Sequence, residues 1–178
     1  MPELLIGAGS NHAKQIKFGG RSEWSDLTTI DFNGDHNPDV IHDLERIPLP
    51  FDDDTFDELH AYHVLEHIGR QGDWRFFFAQ FSDFWRILKP GGAICAVCPS
   101  WNGKWTWGDP GHTRLISRES LIFLCQPEYA QVGQSPMTDY RFVYKADFDL
   151  IWKQEDDEAF AFVIKAVKPS RCVIRANV

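Results

Sequence analysis

The sequence has no apolar run near the roughly 20 residues that a membrane-crossing helix needs, so it predicts no membrane segment. Positive charge is scarce as well, with 18 Lys and Arg against 26 Asp and Glu and a formal net charge of −8. An acidic surface repels phosphate backbones, which disfavours nucleic acid as a partner. Residues 1–4 lack the basic and then apolar segments of a secretory signal. We therefore expect a cytoplasmic protein.

Cysteine is also sparse, with four residues in the chain. Cys95 and Cys98 are spaced like a zinc or redox pair, but they lie in the apolar run 93–98, which is typical of a buried strand. Positions three apart on a strand point to opposite faces, so the two thiols cannot share a metal. No second Cys/His pair stands at ligand spacing. The sequence therefore predicts buried core thiols and no metal site.

Apolar and aromatic residues, in contrast, are abundant. Hydrophobic residues make up 43% of the 178 residues and aromatic residues 14%. This composition excludes a disordered chain. The length fits one domain with a single large core, and no repeat or linker interrupts it, so we expect one domain over residues 1–178.

The order of short apolar runs predicts an α/β protein. Strands are predicted at 4–6, 27–31, 40–41, 56–62 and 93–98. A helix is predicted after Asp73, its N-cap, and residues 89–92 (Lys-Pro-Gly-Gly) end it. Its core-facing stripe consists of Trp74, Phe77, Phe78, Phe81, Trp85 and Leu88. Strands that alternate with helices indicate a layered, mostly parallel sheet.

Two further segments define this sheet. Only residues 32–39 separate the second strand from the third, whereas a crossover that contains a helix needs about a dozen residues or more. Ser117 is predicted to cap a helix that runs to about residue 126. Residues 140–152 and 159–167, on either side of the acidic turn 155–158, predict an antiparallel hairpin. We expect a Rossmann-like sheet with helices on its faces, a C-terminal antiparallel hairpin and no helix between strands 2 and 3.

Polar groups follow the first three strands at the same edge of this sheet. Gly7-Ala8-Gly9 forms a turn after the first strand, where a ligand can approach the backbone closely. Asp31 ends the second strand and Asp43 the third, and ligands of such folds bind at this carboxyl edge. The glycine turn alone is more often only a turn. Together the three elements predict a nucleoside-binding cleft.

The sequence resembles the class I S-adenosylmethionine-dependent methyltransferases, and more narrowly a short type 11-like group of them. The resemblance covers roughly residues 4–167. It is carried by Ile-Gly-Ala-Gly-Ser at 6–10, His-Val-Leu-Glu-His at 63–67, Leu-Lys-Pro-Gly-Gly at 88–92 and Asp-Pro-Gly-His-Thr-Arg at 109–114. It implies S-adenosylmethionine as cofactor and methyl transfer as the reaction.

The resemblance also implies roles for individual residues. Gly7, Ala8 and Gly9 would line the methionine and ribose part of the cofactor, and Asp31 would bind the ribose hydroxyls. Asp43 and the backbone of Leu44 would face the adenine, and Tyr62 and His63 would lie near the sulfonium. The missing helix after the second strand leaves one wall of the adenine pocket to other residues, or open.

Methyl transfer requires a positioned nucleophile and sometimes a base that removes its proton. The candidate catalytic residues are His63, His67 and His112, with Asp109 as a partner in the loop over the site. Histidine is suited to proton removal near neutral pH. A structural role competes for each, since His67 could equally cap or pack the start of a helix.

The acceptor does not follow from the sequence, but a small molecule or a protein agrees with the charge better than nucleic acid does. Trp101, Trp105 and Trp107 form an aromatic segment that could stack on a substrate, act as a buried lid or bind a protein partner or second copy. The main alternative to an enzyme is an inactive methyltransferase fold that serves as a binding or assembly module. A nicotinamide-dependent oxidoreductase is disfavoured, because the full Gly-x-Gly-x-x-Gly pattern is absent.

Overall fold

A computed structural model of the protein describes residues 1–173. One seven-stranded sheet organises them, and its strands are β1 (Pro2–Ile6), β2 (Asp26–Asp31), β3 (Val40–Ile41), β4 (Phe56–Tyr62), β5 (Leu88–Pro99), β6 (Phe148–Glu155) and β7 (Ala159–Ala166). The spatial order is β3-β2-β1-β4-β5-β7-β6. Strands β3, β2, β1, β4 and β5 pair in parallel with one another. Strand β7 pairs antiparallel with both β5 and β6. The fold class predicted from the sequence is confirmed.

One long helix, α1 (Trp74–Ile87), lies on the sheet. Its predicted N-cap is confirmed, because the Asp73 side chain accepts a hydrogen bond of 3.0 Å from the Phe76 amide. The predicted apolar stripe packs on the main core: Phe78 and Phe81 are buried, Trp74, Phe77 and Trp85 are partly buried, and Leu88 already belongs to β5. The helix ends directly before β5, as the Lys-Pro-Gly-Gly segment predicts.

The remaining helices are short. They are α2 (Lys104–Gly108) and α3 (Arg118–Ile122). The helix predicted from Ser117 to about residue 126 therefore ends earlier, and Gln126–Gln131 form a 3-10 helix instead. Pro127 disfavours α-helical backbone at Gln126, the residue before it, and so keeps this 3-10 helix from continuing α3.

The predicted C-terminal hairpin is present, but its first strand begins at Phe148 and not at Tyr140. Residues 140–144 form a turn that packs against α1. The ring of the buried Tyr144 lies 4.9 Å from that of Phe78, and its hydroxyl donates to the Leu124 carbonyl over 3.2 Å. These contacts hold the segment in the core and keep it out of the sheet.

The two faces of the sheet are covered differently. On the helix face, the side that α1 covers, lies the large apolar core. On the loop face, covered by residues 7–25, a small cluster contains Ile16, Cys95 and Val97. The connection from β1 to β2 contains only a 3-10 turn, Phe18–Gly20, and that from β2 to β3 only Gly34–His36. The predicted absence of a helix between strands 2 and 3 is confirmed.

Cys95 and Cys98 lie on opposite faces of β5, and both are buried. The prediction of two separate core thiols is confirmed. None of the helices within residues 1–173 has the length and hydropathy that crossing a membrane requires.

Candidate functional site

A cavity of about 970 Å³ opens at the carboxyl edge of the parallel strands. Loops after β1, β2, β3 and β4 form its walls. Its lining includes Gly7, Gly9, Asp31, Asp43, Leu44 and His63. Six of the residues that the sequence predicts for the cofactor site thus meet at one cavity, whose volume is at the upper end of the usual range for ligand sites.

The glycine turn after β1 requires glycine for two different reasons. Gly7 has a φ of 58°, and a Cβ there would stand 2.2 Å from Cγ2 of Val64, which leaves no room for a side chain. Gly9 has a φ of 54°, and no atom lies within 4 Å of where its Cβ would be. The backbone at Gly9 therefore faces open space that a ligand can fill. Ala8 is buried and does not line the cavity, which disagrees with its predicted role.

Asp31, at the end of β2, is held rigidly at this edge. Its Oδ2 accepts a hydrogen bond of 2.8 Å from the Gly9 amide, and its Oδ1 accepts one of 2.8 Å from the Asn33 amide. His36 Nδ1 lies 3.4 Å from Oδ2. Burial by itself would raise the pKa of Asp31, but these three contacts outweigh it and the pKa is lowered. The carboxylate is thus ionised and oriented for hydroxyl donors.

The outer wall of the cavity is more open. Leu44 is buried, whereas the Asp43 side chain is half exposed and accepts a hydrogen bond of 3.0 Å from the Glu45 amide. Two apolar residues not predicted from the sequence, Phe32 and Ile41, also line the cavity, and they are 75% and 66% exposed. Phe32 begins the connection from β2 to β3, which contains no α-helix, and Ile41 ends β3. In the sequence, Phe32 is an apolar residue directly after a predicted strand and Ile41 is one at the end of a predicted strand, and this position at the ligand edge is the signal by which they could have been found.

His63 follows β4 directly and lines the cavity. Its φ of 53° lies in the left-handed region, which is unfavourable for a residue with a side chain. The conformation is held by the His63 amide, which donates to the Val97 carbonyl over 2.8 Å. About half of the side chain is exposed, and Nδ1 lies 3.6 Å from Oε1 of Glu66. Such strained residues are concentrated at functional sites.

Tyr62 does not join the site, in contrast to its predicted place near the sulfonium. Side chains alternate along a strand, and Tyr62 points to the loop face. There its hydroxyl accepts a hydrogen bond of 3.2 Å from the Ile16 amide and lies 2.6 Å from His60 Nδ1. Burial raises the pKa of Tyr62. Its role is to hold residues 7–25 on the sheet.

The other candidate catalytic residues lie together at the mouth of the cavity. His67 Nδ1 is 3.0 Å from the Gly111 carbonyl oxygen, and the rings of His67 and His112 are 4.7 Å apart. His112 Nε2 lies 3.7 Å from Oδ2 of Asp109. His67 and Gly111 line the cavity, whereas the His112 side chain is mostly buried behind them. The predicted grouping of His67, His112 and Asp109 is thus one local cluster.

Glu66 belongs to this cluster, although the sequence singled it out only as part of a motif. Its side chain is 3% exposed, and neither carboxylate oxygen has a hydrogen-bond partner among residues 1–173. The neighbouring Arg114 donates instead to the Leu65 carbonyl over 2.8 Å and to the Gln80 side chain. We call Glu66, His67 and His112 the mouth cluster. Each offers one metal-ligating atom, and these atoms lie within 4.8 Å of one another.

Residues 21–96 match the family model described as a methyltransferase domain. This segment is less than half of the chain, and it runs from just before β2 into β5. A search of curated proteins gave no match.

Solved structures extend the similarity to almost the whole chain. A S-adenosylmethionine-dependent methyltransferase from Archaeoglobus fulgidus superposes with a TM-score of 0.58 at 14% identity, covering 92% of this chain and 85% of that chain. A S-adenosylmethionine-dependent methyltransferase from Methanosarcina mazei superposes with a TM-score of 0.54 at 16% identity, covering 93% of this chain and 92% of that chain. A structure of the Haloferax volcanii Trm112 methyltransferase activator in complex with a methyltransferase gives a TM-score of 0.54 at 14% identity, covering 93% of this chain and 82% of that chain.

At these identities the structural similarity establishes the fold. This fold is that of the S-adenosylmethionine-dependent methyltransferases, and the family match over residues 21–96 supports S-adenosylmethionine as the cofactor. The cavity fits this cofactor, because the open backbone at Gly9 and the oriented Asp31 carboxylate suit a ribose with its attached chain.

Proposed function

We propose that the protein transfers the methyl group of S-adenosylmethionine to a small-molecule or protein acceptor. The observation that carries this proposal is the single cavity that joins Gly9, Asp31 and His63 at one edge of the sheet. When bound, the cofactor supplies a methyl group on a sulfonium that is already activated. The protein then has to bind the cofactor, exclude water and position the acceptor.

We assign the cofactor-binding residues from this geometry. Gly7 and Gly9 leave the backbone accessible to the methionine and ribose part, and Asp31 accepts hydrogen bonds from the ribose hydroxyls. Asp43 and Leu44 face the adenine, and the exposed apolar side chains of Phe32 and Ile41 replace the wall that the missing helix would form. Apolar walls with a few convergent polar groups are typical of such sites.

The reacting end of the cofactor would lie near His63, because this residue ends β4 next to the glycine turn. His63 is therefore the candidate for proton removal from the acceptor. His67, His112 and Asp109 stand at the mouth, where an acceptor enters, and they are assigned to acceptor contact. The net charge of −8 supports a small molecule or a protein over nucleic acid. The cytoplasmic location stays a prediction.

Calorimetric titration with S-adenosylmethionine and S-adenosylhomocysteine tests this proposal. We expect micromolar binding of both ligands and a loss of about 10-fold to 100-fold in Asp31→Asn, because a hydrogen bond to a charged group contributes about 1.5–3 kcal/mol. Asp26→Asn is the matched control, since Asp26 is exposed at the opposite end of the same strand. Equal affinity in wild type and Asp31→Asn would refute the assignment of Asp31.

A second candidate function is an assembly module that binds a protein partner or a second copy. It is favoured by Trp101, Trp105 and Trp107, which are 59%, 61% and 75% exposed. The Haloferax volcanii neighbour is itself in a complex with an activator. Absence of binding of either nucleoside to folded protein would favour this function. Sedimentation of wild type against the double variant Trp105→Ser, Trp107→Ser would then show whether the segment mediates self-association.

A further inference from the structure

The mouth cluster contains a buried carboxylate without a hydrogen-bond partner among residues 1–173, and His63 Nδ1 lies 3.6 Å from its Oε1. Glu66 is 97% buried, and both of its oxygens lack such a partner in the described part of the chain. Arg114, the buried guanidinium closest in the fold, donates to Leu65 and Gln80. A buried ionised carboxylate is strongly unfavourable unless it is paired or coordinates a metal. The position of Glu66 therefore suits a metal ligand.

His112 has the same deficit. Its side chain is 8% exposed, and within residues 1–173 its Nδ1 has no hydrogen-bond partner. Its other nitrogen, Nε2, faces the Asp109 carboxylate at 3.7 Å. With the proton on Nε2, Nδ1 is left as the ligand, and a carboxylate on the side of the other ring nitrogen is the usual arrangement of a metal-binding histidine.

His67 is oriented in a comparable way. Its Nδ1 lies 3.0 Å from the Gly111 carbonyl oxygen, which can only accept a hydrogen bond, so Nδ1 carries the proton. Nε2 is then the free acceptor. Because His67 is exposed and lines the cavity, it places the cluster at the cavity mouth.

We propose that Glu66, His67 and His112 bind one divalent transition-metal ion at the mouth of the cavity. Two imidazoles and one carboxylate, with a position left open, are a common donor set for catalytic zinc. One ring nitrogen of each histidine and one carboxylate oxygen of Glu66 lie within 4.8 Å of one another. Bonds of about 2.0–2.1 Å in a tetrahedral site require separations of about 3.3 Å, so a modest closure, for which the exposed His67 is free to move, completes the site. This proposal departs from the absence of a metal site that the cysteine spacing predicts.

A second compact group, Glu58, His60 and Cys95, does not support the same conclusion. Glu58 accepts hydrogen bonds from Arg21 and His60, and the remaining nitrogen of His60 lies 2.6 Å from the Tyr62 hydroxyl. The carboxylate and imidazole atoms of this group are thus already hydrogen-bonded, whereas both Glu66 oxygens and His112 Nδ1 have no hydrogen-bond partner among residues 1–173. We therefore interpret Glu58, His60 and Cys95 as part of a structural hydrogen-bond network, and the mouth cluster as a ligand site.

The open position of the metal would face the cavity, where it would bind an oxygen atom of the acceptor. A metal-bound hydroxyl or carboxylate is held in place, and a bound hydroxyl loses its proton more readily. This consequence rests on the proposed function, whereas metal binding itself does not. Oxygen-bearing small molecules are therefore the class of acceptor that the site favours.

Calorimetric titration of metal-free protein with ZnCl₂ tests the proposal. We expect one Zn²⁺ per chain with a micromolar or lower Kd, and affinity reduced at least about 100-fold in both Glu66→Gln and His67→Gln. Asp109→Asn, which changes only the group behind His112, should weaken binding by about 10-fold. His42→Gln is the control for adventitious binding, because His42 lines the same cavity outside the cluster and should leave the Kd unchanged.

Absence of saturable 1:1 binding to folded wild-type protein would overturn the metal site, as would equal affinity in His67→Gln, whose exposed side chain should not affect folding. A parallel titration with S-adenosylhomocysteine in the presence of EDTA separates the two proposals. Nucleoside binding without zinc binding would remove only the metal site, and zinc binding without nucleoside binding would remove only the methyltransferase function.

Discussion

Glu58 and Glu66 are two buried carboxylates, one within β4 and one shortly after it, and their surroundings differ. Glu58 lies on the loop face, where His60, Arg21 and Lys14 contact its two oxygens. Glu66 lies at the cavity mouth, where its oxygens accept no hydrogen bond from residues 1–173 and His63 Nδ1 lies 3.6 Å from Oε1. A satisfied polar network contributes to stability, and an unsatisfied one indicates a ligand. We therefore assign Glu58 to the stability of the fold and Glu66 to ligand binding.

The loop-face cluster, formed by Glu3, Lys14, Arg21, Glu58 and His60, is balanced in charge when His60 is neutral. Lys14 is 1% exposed at its side chain and lies 2.8 Å from Glu3 and 3.3 Å from Glu58. Burial lowers the pKa of His60, which keeps the imidazole neutral near pH 7. This cluster attaches residues 7–25 to the sheet where no helix is present.

The largest expected effect is that of Glu58→Ala. Removing this carboxylate leaves Lys14 with one partner and His60 without an acceptor, and breaking such a buried pair commonly lowers the free energy of unfolding by about 3–5 kcal/mol. Urea denaturation of wild type and variant measures this difference. A change below about 1 kcal/mol would show that the loop-face cluster is not a main source of stability.

Acid should weaken the same cluster. Burial alone would raise the pKa of Glu58, but His60, Arg21 and Lys14 outweigh it and lower the pKa to about 2 from 4.5. Since the folded pKa is the lower one, this stabilisation is present above about pH 4.5 and is lost as the pH falls toward 2. The free energy of unfolding, measured by urea titration between pH 5 and pH 2, should fall less steeply in Glu58→Gln. Parallel curves for the two proteins would contradict this origin of the pH dependence.

A smaller effect is expected from Tyr62→Phe. The variant loses the hydroxyl that contacts the Ile16 amide and His60, at about 1–2 kcal/mol of stability. Because Tyr62 points away from the cavity, affinity for S-adenosylhomocysteine should not change. Thermal unfolding and calorimetry measure the two quantities. Weaker nucleoside binding at unchanged stability would restore the role near the sulfonium that the sequence resemblance implies.

The smallest effect is expected from Glu66→Gln in metal-free buffer with EDTA. Replacing an unpartnered buried carboxylate by a neutral amide of the same shape should leave stability unchanged or raise it by about 1 kcal/mol. Urea denaturation beside Glu58→Gln gives the direct comparison of the two carboxylates. A loss as large as that of Glu58→Gln would mean that Glu66 has a structural partner.

Much of the site could be predicted from the order of residues along the chain. Gly9, Asp31 and Asp43 each follow a predicted strand, and the carboxyl ends of parallel strands meet at one edge. Tyr62 was misplaced because it adjoins His63 in sequence, while the alternation of side chains along β4 sends it to the other face. Phe32 and Ile41 were not identified, because an apolar residue near a strand usually signals core and not an exposed wall.

The sequence by itself determined the first four strands, helix α1 and the absence of a helix between β2 and β3, since these depend on local periodicity and on chain length, whereas β5 begins earlier and β6 later than predicted. It also determined which polar groups reach the ligand edge. Only the tertiary structure decided that Glu58 is paired and Glu66 is not. Both are carboxylates in apolar surroundings, and their difference comes from residues distant in sequence, Lys14 and Arg21 in one case and the loop of Asp109 and His112 in the other. Hydrogen bonding between distant segments leaves no local pattern in the chain.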